Sequence, residues 1–221
     1  MDKKFIIFIA LAIIIIVLMI FIFSSSDDIS EIKAVYLIND YSKKTQLIKS
    51  NFIGYIQKMT VDYKEVDPCY EIDFKKGYHY VTFYIKKITS TFMMFNGIID
   101  LSEINLENFD ASSVSDMSFM FNGCQSLIDV KLSNLKTNNV KKMDFMFSNC
   151  LSLKGIYLSE LDLENVETME SIFSGCIVLE RFYSDKLKTK NLKTIKYMFY
   201  NCINLKYLEH KKYQNLIYLK N

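Results

Sequence analysis

Tryptophan is absent from this chain of 221 residues, proline occurs once (Pro68), glycine six times and histidine twice, as His79 and His210. So little glycine and proline excludes collagen-like, proline-rich and glycine-rich low-complexity architectures. The two histidines stand in no nucleophile or metal-ligand motif, which leaves little room for histidine-based catalysis or metal binding. No phosphate-binding loop, H-E-x-x-H or G-x-S-x-G sequence occurs. Asparagine is plentiful but forms no N-x-[ST] sequon, so N-glycosylation is not expected. A formal net charge of +2 gives no general case for a nucleic acid partner. The expectation is a protein that is not an enzyme and carries no metal or cofactor.

What the chain does hold is apolar and aromatic mass: half of it is hydrophobic, with 17 Phe, 15 Tyr and 11 Met. That content excludes a disordered protein. At the N-terminus, Lys3 and Lys4 precede an uncharged apolar run over residues 5–23, and Ser24, Ser25, Ser26, Asp27 and Asp28 follow it. As a helix this run would be about 28 Å long, close to the thickness of a bilayer's hydrocarbon core. The lysines favour a cytoplasmic N-terminus. Residues 1–28 are therefore predicted to be a signal-anchor and linker. They would give a single-pass membrane protein whose C-terminal part lies on the extracytoplasmic, cell-surface side. A signal peptide cleaved after Ser26 is the alternative.

Further on, four ungapped segments repeat with a period of 26 residues, starting at Val114, Val140, Val166 and Leu192. In the second copy, Val140, Met143, Met146, Phe147 and Cys150 fall at offsets 0, 3, 6, 7 and 10. That spacing is one face of a helix. Ser113, Asn139, Asn165 and Asn191 precede the copies and suit the N-cap position. A weaker copy comes earlier, with Ile88, Met94, Phe95 and Ile98 in phase and Thr91 interrupting the apolar pattern. After the cysteine a second pattern follows: Leu127, Val130, Leu132 and Leu135, recurring as Leu153, Ile156, Leu158 and Leu161. Its central pair has period 2 and reads as a short strand. A strand and a helix in every repeat predict an α/β fold. The form expected is a leucine-rich-repeat solenoid over residues 88–213, with one short parallel strand plus one helix per 26-residue repeat.

These residues resemble the BspA-like leucine-rich-repeat surface proteins, whose repeat carries V-x-x-M-x-x-M-F-x-x-C followed by L-x-x-L-x-L-S. The resemblance covers residues 88–213 and is most specific over 114–161. It implies an extracytoplasmic, cell-surface protein of bacteria or protists, tied to adhesion and host contact.

Residues 29–87 lie outside the period. Apolar and aromatic stretches over 32–38, 46–49, 56–62, 70–74 and 78–85 read as strands, with turns at Asp67-Pro68 and Lys76-Gly77. A small β domain capping the first repeat is expected there. Residues 214–221 make a C-terminal tail, and this end of the chain offers a place for self-association. Cys124, Cys150, Cys176 and Cys202 occur once per repeat. Neighbouring strands stand about 4.8 Å apart, so four such sulfurs cannot converge on one tetrahedral metal. They read as small buried apolar residues, with disulfides between adjacent rungs as the alternative. Charge alternates in sign between the repeats that begin at Asp110, Lys136, Asp162 and Lys188. Opposite-charge ladders between rungs would follow, each exposed pair worth about 0–1 kcal/mol.

Without catalytic groups, such a stack offers surface. The outward strand positions place Tyr157 beside Tyr183, flanked by Lys131, Arg181 and Tyr207. Exposed tyrosine and arginine dominate interface energetics. The expected function is a membrane-anchored, extracytoplasmic binding module acting in adhesion, with a protein or glycan partner on another cell or matrix. A structural envelope protein acting by self-association is the alternative. Membrane contact is expected through residues 5–23, and no nucleic acid partner.

Overall fold

The computed structural model of the chain describes residues 29–40, 43–159, 161–183 and 189–208. Its N-terminal strands are β1 (Ser30–Ile38), β2 (Lys43–Gln46), β3 (Ile56–Val61), β4 (Lys64–Val66), β5 (Glu71–Phe74) and β6 (Gly77–Ile85). The repeats contribute β7 (Leu101–Asn105), β8 (Asp129–Lys131), β9 (Gly155–Tyr157), β10 (Arg181–Tyr183) and β11 (Tyr207–Leu208). One six-stranded sheet has the order β4-β3-β6-β1-β7-β8, a three-stranded sheet runs β11-β10-β9, and β2 pairs with β5.

β1 shows why these segments are extended. Ile32, Ala34, Tyr36 and Ile38 alternate with outward residues such as Lys33, so one face is buried and the other wet. On β6 the inward set is Val81, Phe83 and Ile85. The Tyr36 hydroxyl, buried with its ring, donates to the Leu47 carbonyl at 2.5 Å, which satisfies a polar group that would be costly to bury alone. β1 then pairs antiparallel with β7 on its other edge. The sheet therefore continues without a break from residues 29–85 into the first repeat.

The repeats stack as rungs, but not as strand and helix. Among the described residues no α-helix forms, and the one helical element is a 3₁₀ segment, Ser50–Tyr55. The helix expected in each repeat is replaced by consecutive turns, which corrects the strand-plus-helix leucine-rich-repeat solenoid. The cause is hydrogen bonding between rungs. In the rung of Met143, the N–H groups of Met143, Phe145, Phe147 and Asn149 donate to the carbonyls of Thr168, Glu170, Ile172 and Ser174 at 2.7–3.0 Å. The alternate N–H groups of Met146, Ser148 and Cys150 close turns onto Met143, Phe145 and Phe147. An α-helix would spend all of these donors on carbonyls four residues back. The backbone also turns left-handed twice per rung, at Phe145 (φ 56°) and Asn149 (φ 58°), where a right-handed helix requires φ near −63°.

The apolar face predicted for the helix still points inward. Val140, Met143, Met146, Phe147 and Cys150 are fully buried, as are most of their counterparts one rung away. Phe95, Phe121, Phe147, Phe173 and Phe199 form a continuous ladder with ring centroids 5.5–5.7 Å apart and planes within 13°. Thr91 takes the place of Met117, fully buried, so the first copy is a true rung. Each cysteine thiol donates to the phenylalanine carbonyl of the preceding rung, as Cys150 does to Phe121 at 3.2 Å. All four are free thiols, and burial pushes the Cys124 thiol up to about 12. The asparagines expected as N-caps link rungs instead: Asn139 Nδ2 donates to the Ser112 carbonyl at 2.6 Å, and Asn165 Nδ2 to that of Asn138 at 2.7 Å.

No helix among the described residues is long and apolar enough to cross a membrane. The expected N-terminal transmembrane helix, and the single-pass membrane, cell-surface localisation that rests on it, therefore find no support among the described residues, whose one helical element is a six-residue 3₁₀ turn. The segment 5–23 itself lies outside the described residues, and so does the tail at 214–221.

Candidate functional site

Tyr157 and Tyr183 occupy the same register position of β9 and β10, which pair in parallel. Ile156 and Phe182, one residue earlier on each strand, turn inward and are buried, with Phe182 edge-on to Phe173 and Phe199. Period 2 therefore sends both tyrosines to the outer face. Their rings lie 4.2 Å apart and 2° from parallel. Tyr157 is 61% exposed, and Tyr183 is half-buried.

The other predicted residues fall around this pair unequally. Arg181 is exposed at the start of β10, in register with Gly155 on one side and Tyr207 on the other. It lies two residues from the tyrosine position along the strand. For Tyr207 the backbone register on β11 is described and the side chain is not. Lys131 is exposed on β8, the last strand of the six-stranded sheet, whereas β9 begins the next sheet. The two rungs stay joined on the turn side by the Asp116–Lys142 bridge and part on the strand side. A hollow of about 280 Å³ fills the break, lined by Asp129, Lys131, Ser133, Tyr157 and Ser159 among others. Lys131 and Tyr157 thus share one depression, and Tyr183 stands behind Tyr157.

Sequence reasoning treated the strand face as continuous and did not find this hollow. Its rim is polar and partly fixed: the Ser133 hydroxyl donates to Glu107. That bond, with one from Asn105, holds the Glu107 carboxyl below its ordinary range. The charge alternation produces a cross-rung ion pair at close range, Lys193 Nζ to Glu167 at 2.6 Å. Lys136 also lies near Asp110, where burial raises the carboxyl but the hydrogen bonds from Ser112 and the lysine charge bring it lower. Among the described residues no group of three His, Cys, Asp or Glu is placed to hold a metal ion. What the Tyr157 face can do chemically is stack and hydrogen-bond.

No curated protein and no solved structure shows significant similarity to this chain. Residues 86–213, the five rungs with their strands and more than half of the chain, match the model of a family described as Mycoplasma protein of unknown function, DUF285. The chain belongs to that family.

Proposed function

We propose that this protein is a non-enzymatic binding module of the BspA-like surface-repeat type. It would engage a protein or glycan partner through the outer face of β9 and β10 and serve adhesion. The observation that carries the reading is the parallel pair Tyr157–Tyr183 beside a polar hollow. One ring is mostly exposed, and the other backs it at stacking distance. Two rings fixed against each other lose little side-chain freedom on binding, which is the cost that weakens flexible contacts. Lys131 and Arg181 add cationic rims on either side.

Cross-strand tyrosine pairing also stabilises a sheet by about 0.2–1 kcal/mol without any partner. The double substitution Tyr157→Ala with Tyr183→Ala separates the two roles. The folded variant is expected to keep its melting temperature within about 2–4 °C and to lose attachment to target cells or matrix. Retained attachment would remove this face from consideration.

Self-association is the second reading, favoured by the last described rung. Tyr197, Tyr200 and Ile203 are exposed there, beside a hollow lined by residues 193–199. A monomer at high concentration in light scattering would dismiss it.

A further inference from the structure

The outer face of the six-stranded sheet, outside the family-matched repeats, holds a second aromatic arrangement. Asp62 and Tyr63 make the two-residue turn between β3 and β4, and both have positive φ, 48° and 66°. Such turns favour asparagine and glycine, and a tyrosine there is held at a cost in backbone strain. A built support keeps it in place. The Asp62 carboxylate meets His79 Nδ1 at 2.8 Å and accepts the Tyr80 N–H at 2.9 Å. His79 Nε2 meets the Lys75 carbonyl at 2.8 Å, and the imidazole lies flat on Phe74, 4.0 Å away and 7° from parallel.

The support positions the Tyr63 ring, which stacks on Tyr80 at 5.7 Å and 25° and yet remains 83% exposed. The strain is therefore not repaid by burial. The hairpin turn accounts for the positive φ, and its effect is to hold an aromatic ring in place outside the packed interior, where its face is open to a partner.

Both rings line a hollow of about 450 Å³. Thr60, Thr82 and Lys33 form one row across β3, β6 and β1 at its floor. Tyr84 lines it as well, and Lys33 is paired with Glu31 at 2.8 Å, so the charges compensate. We propose that this hollow binds one unit of a neutral oligosaccharide, with Tyr63 and Tyr80 as the stacking platform. Thr60, Thr82 and the Glu31–Lys33 pair would meet the hydroxyls. A sugar ring has an apolar C–H face, which suits the negative face of an aromatic ring. Its hydroxyl edge both donates and accepts, as threonine does. A polyanion would need cations without a paired acid, and Lys33 has one. The site stands apart from the Tyr157–Tyr183 face and does not depend on it.

The test is calorimetric titration of the full chain with neutral hexasaccharides of glucose, mannose, galactose and N-acetylglucosamine. Binding of at least one is expected. Tyr63→Gly relieves the positive-φ strain, so the variant should melt no lower than the wild type while binding that sugar roughly tenfold or more weakly. Tyr80→Ala should weaken binding likewise. Tyr197→Ala and the Tyr157→Ala, Tyr183→Ala pair should leave it unchanged, which separates this site from the other face. Failure to bind any of the four sugars overturns the proposal, and so does wild-type affinity in folded Tyr63→Gly.

Discussion

Gly175 and Asn149 are the same residue position in adjacent rungs, both left-handed, at φ 76° and 58°. A Cβ on Gly175 would fall 2.3 Å from Asn149 Oδ1. Gly97 has a similar φ, 71°, with nothing within 4 Å of its Cβ position. Gly97→Ala should therefore cost only the left-handed penalty, about 1–2 kcal/mol, and Gly175→Ala measurably more, because Asn149 must move. Urea denaturation of the two variants compares them directly, and equal losses would contradict the close approach. The Asp62 turn offers a test by pH. Burial raises its carboxyl, but the hydrogen bonds from His79 and the Tyr80 N–H outweigh that and hold it below the ordinary range. A depressed folded value means that its contribution is complete above the ordinary aspartate range and is lost as pH falls through the depressed value. Hydrogen exchange at the Tyr80 amide should accelerate relative to the β6 interior over that acid range. Unchanged relative protection would show that the carboxylate does not hold the turn.

At the scale of one rung, the load is carried by the phenylalanine ladder and the rung-to-rung hydrogen bonds. Phe147 is fully buried between Phe121 and Phe173. Its replacement by alanine should cost about 3–5 kcal/mol in chemical denaturation, from lost burial and the cavity left behind. Lys141 is exposed on the same rung, and Lys141→Ala should change stability by less than about 0.5 kcal/mol. The cysteines fit this element for a specific reason. The Phe121 carbonyl accepts the Cys124 N–H from its own turn and the Cys150 thiol of the next rung at 3.2 Å. The Phe147 carbonyl likewise takes the N–H of Cys150 and the thiol of Cys176 at 3.0 Å. A small apolar side chain with a weak donor is what the position asks for.

In the molecule as a whole, β1 is the seam. It pairs with β6 over nine residues and with β7 across its other edge, and the Ser102 hydroxyl donates to the Val35 carbonyl at 3.0 Å. The buried residues of 29–85 and of the rungs make one hydrophobic cluster. Unfolding should therefore be a single transition. Tyrosine fluorescence and far-UV circular dichroism should report coincident midpoints in guanidinium. Two separated midpoints would show that the N-terminal strands and the rungs fold apart.

The sequence by itself determined the period, the places of β1, β3, β5 and β6 and the identity of most buried residues, whereas β4 was not read and β2 lies at Lys43–Gln46 rather than over 46–49. Offsets 0, 3, 6, 7 and 10 mark an inward row whether the backbone is helical or turning, so Val140, Met143 and Phe147 were legible as core. The helix itself was not decided by that row. The glycine or asparagine before each cysteine, at Gly123, Asn149, Gly175 and Asn201, was the local sign of a left-handed turn. The register of Tyr157 with Tyr183 was readable because both sit at one phase of the repeat. Tertiary structure alone decided that the alternate N–H groups serve the next rung, since those bonds join residues 25 apart and no local propensity contains them. It also decided the break between β8 and β9, which opens a hollow beside Tyr157. The meeting of Tyr63 with Tyr80 was settled there too, because strand pairing across a turn brings together rings that have no common period.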